Sequence, residues 1–164
     1  MSNPQLHLKL SLELVWWIAT AILTVLILFP ILRVFDNYPF LFANILFVFI
    51  FITFTRYIFL LKNTFLARLT PVKSLLIAVC LPLFFYLISE VYAFQMFLDE
   101  QGSQALLSPE YLSQEVPISR RSGLLSYIRT ETLFFGVGSV ITTILMPFRM
   151  ILSIWRTYNT EDRV

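Results

Sequence analysis

Residues 14–32 read LVWWIATAILTVLILFPIL, an unbroken run without a charged side chain. A helix rises about 1.5 Å per residue and the hydrocarbon core of a bilayer is about 30 Å thick, so this run is long enough to cross it. Three more runs of the same kind follow. Taken with their flanks, the four spans are expected at residues 14–33, 40–61, 74–98 and 132–155. The chain of 164 residues is therefore expected to be all-α: a polytopic membrane protein, a single membrane domain built as a four-transmembrane-helix bundle. Composition points the same way. Soluble domains are about a quarter charged, whereas this chain is 13% charged and 58% hydrophobic, with a mean hydropathy of +0.79.

The first run is too long, and too poor in a small-residue cleavage site, for a cleaved signal peptide, so it is expected to remain as a signal anchor. Ahead of it Leu6, Leu8, Leu10 and Leu12 alternate with His7, Lys9, Ser11 and Glu13, which reads as an interfacial lead-in to the first helix. Trp16 and Trp17 stand where an aromatic belt belongs. Asp36, Asn37 and Pro39 mark a tight reversal before the phenylalanine-rich second span. The loop from Lys62 to Lys73 carries cations and no acid. Between residues 99 and 131 acids, glycine and proline mark the longest aqueous segment, with a short helix expected to start at Ser108, Pro109 and Glu110 and to stop by Pro117. Leu124, Leu125, Tyr127 and Ile128, mixed with Arg120, Arg121 and Arg129, suggest an amphipathic stretch lying on the membrane before the last span.

Cation placement sets the orientation. With both termini inside, the cytoplasmic set is Lys9, Arg56, Lys62, Arg68, Lys73, Arg149, Arg156 and Arg163, against Arg33, Arg120, Arg121 and Arg129 outside. The positive-inside rule therefore favours an N-in/C-in, multi-pass protein of the cell inner (cytoplasmic) membrane.

Few residues carry candidate chemistry. Glu90 interrupts the third span in its outer third, where an ionised carboxylate is costly unless it is paired, protonated or wet. Arg33, Arg129 and Glu131 arrive at the same leaflet, so an intramembrane polar cluster of these four is expected. Arg56 and Arg149 each lie a turn or two inside a cytoplasmic helix end, placed to snorkel toward a lipid headgroup or a partner's acid. In the last span Gly136, Gly138, Ser139, Thr142 and Thr143 form a small-residue face for close helix packing, with hydroxyls available to bond across the contact. The neighbour is either the third span or another subunit. Pro30, Pro82 and Pro147 lie within apolar runs.

Several functions lack their residues. With a single His7 and a single Cys80 there is no set of zinc ligands, no disulfide and no pair of axial haem ligands. Asp36, Asp99 and Asp162 all lie outside the spans, which excludes an intramembrane aspartyl dyad. Basic residues are dispersed, so no nucleic-acid partner is expected, and neither cofactor nor metal is implied. The preferred reading is a non-enzymatic membrane subunit that associates with, stabilises or regulates a larger membrane complex, with other integral membrane subunits and phospholipids as partners. One alternative is a small homo-oligomeric ion channel or transporter using Glu90. A second is a membrane enzyme acting on lipid through Glu110, Glu115, Arg120 and Arg121.

Overall fold

The computed structural model describes residues 4–61, 64, 66, 69–113 and 115–161, with the side chains of residues 4–9 and 160–161 excepted. Four helices carry it: α1 (Pro4–Leu32), α2 (Leu41–Leu60), α3 (Thr70–Gln101) and α4 (Ile118–Glu161), with a short 3-10 segment at Ser103–Leu107. All four are long and apolar enough to cross a membrane. Lys62, Arg68 and Arg163, which enter the orientation count, lie outside the described residues, as do the side chains of His7 and Lys9.

Local signals set the helix ends. Pro71 occupies the first turn of α3, where its missing N–H costs nothing. The same helix stops at Gly102, whose φ of 78° is open to glycine and strained for other residues; its N–H still reaches the Leu98 carbonyl at 3.0 Å. Pro117 precedes α4 and accepts the Arg120 N–H at 2.8 Å.

Four expectations are corrected. First, the first helix does not begin near residue 14: α1 runs continuously from Pro4 and takes in the alternating lead-in. Second, no helix starts at Ser108. Its hydroxyl turns back to the Ala105 carbonyl at 2.7 Å, closing the 3-10 segment rather than capping a new helix. The chain then makes a turn, with the Tyr111 N–H on the Ser108 carbonyl at 3.0 Å, and pairs with the α1–α2 turn: Asp36 N–H donates to the Tyr111 carbonyl at 3.0 Å, Ser113 N–H donates to the Val34 carbonyl at 2.9 Å, and Phe35 bridges Leu112 in antiparallel sense. Third, the amphipathic stretch and the last span are one helix of 44 residues. At 1.5 Å per residue α4 is about 66 Å long, more than twice a bilayer core. Lys73 also moves from loop to helix: it sits in the first turn of α3, fully buried.

Helix α4 runs through the middle, packed along both α2 and α3, while those two touch each other little and α1 leans on α2. At the turn end, Leu28, Ile31, Phe35, Phe94, Leu106 and Ile128 gather beneath the stitched loops. Phe47 and Leu87 fill the middle. At the terminal end, which holds the start of α1, the end of α2, the start of α3 and the end of α4, Phe54, Leu61, Leu66, Met146 and Met150 close the core.

Candidate functional site

Two layers of buried polar groups are anchored on α2. Arg56 and Asn44 are twelve residues apart there, so the layers are separated by about 18 Å.

The terminal-end layer joins α1 to α2. Arg56 Nη1 donates to Glu13 Oε1 at 3.0 Å and Nη2 to Oε2 at 2.6 Å, a two-pronged ion pair with both side chains below one-tenth exposed. The Tyr57 hydroxyl donates to the same carboxylate, and the Trp16 ring centroid lies 5.2 Å from the guanidinium carbon. Nearby, Arg149 Nε donates to the Ile58 carbonyl at 2.8 Å, satisfying an acceptor in the last turn of α2. Lys73 Nζ meets Ser153 Oγ at 3.0 Å and so ties α3 to α4.

The second layer joins α2 to α4. Asn44 Nδ2 donates to Glu131 Oε2 at 3.1 Å and to Thr132 Oγ1 at 3.0 Å, all three residues buried. Tyr38, in the turn before α2, borders the same group, and burial holds its phenol well above the ordinary value, so it stays protonated. Among the described residues, Glu131 Oε1 and Asn44 Oδ1 have no hydrogen-bond partner.

The four residues expected to form one polar cluster do not do so: no ion pair links them among the described residues. Glu131 belongs to the Asn44 layer. Arg129 lines a cavity of about 410 Å³ with Gln95, Asp99 and Ser103. Arg33 lines a separate cavity of about 810 Å³ between the end of α1 and the start of α4. Glu90 is half-buried on α3 beside Tyr86, which is 37% exposed. Leu87 and Phe94 mark the buried face of α3, and Glu90 sits about 60° off that line, on its flank.

Arg56 and Arg149 are engaged within the chain, the first by an acid and the second by a backbone carbonyl. The reason is the same for both: a guanidinium kept in a low-dielectric setting takes the nearest fixed acceptor.

The small-residue face works as close packing. A Cβ on Gly136 would stand 2.8 Å from Val91 Cγ2 of α3, and one on Gly138 would stand 2.7 Å from the Phe51 ring of α2, so both helices approach α4 at its glycines. The hydroxyls do not bond across the contact. Ser139 Oγ donates to the Gly136 carbonyl at 2.7 Å and Thr142 Oγ1 to the Gly138 carbonyl at 3.0 Å, within α4 itself, while Thr143 Oγ1 is buried without a partner among the described residues.

Sequence reading missed Glu13 and Asn44. A signal for the first existed: residues 13 and 56 lie equally far from the turn at residues 34 and 35, so an antiparallel hairpin brings them level. Asn44 carried only the weaker signal of an amide within an apolar run.

The chain is all-helical, with four helices long and apolar enough to span a membrane, which is compatible with the multi-pass class. Comparison with protein families, with curated proteins and with solved structures finds no match in any of the three.

Proposed function

We propose that this chain is a non-enzymatic integral membrane subunit, inserted N-in/C-in in the cytoplasmic membrane, that associates with, stabilises or regulates a larger membrane complex. Glu90 carries this reading. Val91 touches Gly136, so Glu90 lies near the level of Gly136, seven residues or about 10 Å along α4 from Arg129. That depth is within the hydrocarbon if Arg129 and Arg149, about 30 Å apart on α4, mark its two borders. A carboxylate there, on the flank of α3, with the Tyr86 phenol beside it as a hydrogen-bond donor but no cation paired to it among the described residues, calls for a positive charge from outside the bundle. A basic side chain on a partner's membrane helix supplies one.

The orientation has its own support. Among the described side chains the terminal end holds Arg56, Lys73, Arg149 and Arg156 against Glu13, whereas the turn end holds Asp36, Asp99, Glu100, Glu110 and Glu115 beside its four arginines. A cation surplus at the terminal end faces the cytoplasm under the positive-inside rule.

The test is mass determination of the intact complex after purification in mild detergent. A partner of different sequence, held by the native chain and lost from Glu90→Ala and Glu90→Gln, is the expected result. A second reading, a homo-oligomeric channel or transporter, draws on the adjacent Tyr86 and Glu90. It requires the chain to purify alone as a symmetric ring, with ion or proton flux in vesicles that Glu90→Gln alters.

A further inference from the structure

We propose that the groove between the end of α1 and the start of α4 holds one anionic phospholipid, its phosphodiester between Arg33 and Arg120 and an acyl chain along Phe29, Leu124 and Tyr127. The inference rests on the membrane reading above and gives that reading a ligand.

The groove encloses about 810 Å³, within the range of small-molecule sites. Its polarity is graded along the helix axes. At the inner limit the Tyr127 hydroxyl donates to the Ile27 carbonyl and bridges α4 to α1. That bond falls in the turn where Pro30 lacks the N–H that the Leu26 carbonyl would otherwise accept. Apolar walls follow. Arg33, in the turn that follows α1, lies six residues beyond Ile27, and Arg120 lies seven residues from Tyr127 on α4, so both residues stand about 10 Å further out along the groove. An apolar slot opening beneath two cations has the form of a lipid chain beneath a headgroup, and guanidinium is suited to two-pronged phosphate contact.

Charge narrows the occupant. Arg33 and Arg120 make no ion pair among the described residues, and Glu115 also lines the groove, so the site's formal charge is +1. One phosphodiester with an uncharged head neutralises it. A zwitterionic lipid leaves the positive charge in place.

Gly123 lines the groove, and a Cβ there meets nothing within 4 Å. Gly123→Leu therefore fills the slot without touching the core and replaces glycine by a better helix former. This variant tests the site without removing a charge.

The chain is reconstituted in vesicles of equimolar phosphatidylglycerol and phosphatidylcholine, extracted in mild detergent, and its retained lipid is read by mass spectrometry of the intact protein. Retention of one phosphatidylglycerol is expected. Arg33→Gln with Arg120→Gln should lower occupancy by about tenfold or more, the size of losing a charge-assisted contact. Gly123→Leu should lower it with both arginines present, and Arg129→Gln, in the other cavity, should leave it unchanged. Equal retention of the two lipids, undiminished retention by both groove variants, or displacement of the lipid by free inorganic phosphate overturns the proposal. Alkaline carbonate treatment separates the two failures: a chain stripped from native membranes overturns the membrane reading and this site with it, whereas a chain that stays inserted and shows no lipid preference overturns the site alone.

Discussion

Arg56 grips the Glu13 carboxylate with both terminal nitrogens, at 3.0 and 2.6 Å, and this pair is the main polar tie between α1 and the rest of the bundle. Apolar burial does little of that work toward the start of α1: Leu14, Val15 and Ile18 are all more than half exposed. An ion pair at this position fixes register, since two charges withdrawn from water cannot slide one turn apart without a large desolvation penalty.

Removing either partner alone strands a charge. Glu13→Leu or Arg56→Met should each destabilise the protein by about 3 kcal/mol or more, while the double variant recovers most of that loss, because an apolar pair of similar volume replaces a buried ion pair at little net cost. Thermal unfolding of the four forms in detergent gives the coupling energy. Simple addition of the single losses would show that the pair is not a unit.

The glycines of α4 should differ sharply. Gly138→Ala places a methyl 2.7 Å from the Phe51 ring, and that ring is held by edge-to-face contacts with Phe134 and Phe135 at centroid distances of 5.7 and 5.6 Å. A loss of about 1 to 3 kcal/mol is expected from the overpacking. Gly123→Ala, facing open space, should instead gain up to about 1 kcal/mol from helix propensity. Midpoints of thermal unfolding, compared side by side, decide it.

Asn44 supplies the cross-helix donor to Glu131. Asn44→Leu should cost about 1 to 3 kcal/mol by leaving a buried carboxyl oxygen short of a partner. Glu131→Leu in the same chain should return much of this, as the unmet group is then gone. If the second change only deepens the loss, the hydrogen bond is not what couples α2 to α4.

Orientation is open to labelling, because Cys80 is the sole cysteine of the sequence and is buried. Ser103→Cys, at the turn end, should react with an impermeant maleimide added outside intact cells. Asn159→Cys, at the terminal end, should react only after permeabilisation. Both positions are exposed, so access reports the compartment. Reaction of both from one side would overturn the four-span topology.

Much of the architecture could be read directly. The four apolar runs correspond to four helices, and the glycines of the last run mark where its neighbours come closest. Errors arose where a local signal had to compete with a partner distant in sequence. Ser108 has the makings of an N-cap, but its segment lies against the α1–α2 turn, and backbone pairing with residues 34 to 37 outweighs a helix only a few residues long. The amphipathic stretch expected ahead of the last span is continuous with it in α4, because a helix tolerates mixed apolar and basic residues on any face the surroundings can satisfy.

Amino-acid order alone determined that there are four long apolar helices, where the chain reverses, and which residues are small enough to let α4 approach its neighbours. These are matters of run length, turn chemistry and side-chain volume, all local. Which polar groups meet was decided by tertiary structure: Glu13 with Arg56, Asn44 with Glu131, Arg33 beside Arg120 in a groove and not beside Glu90. Four apolar rods can be arranged in several ways with similar burial, and only their rotation and depth relative to one another place a given charge against a given partner.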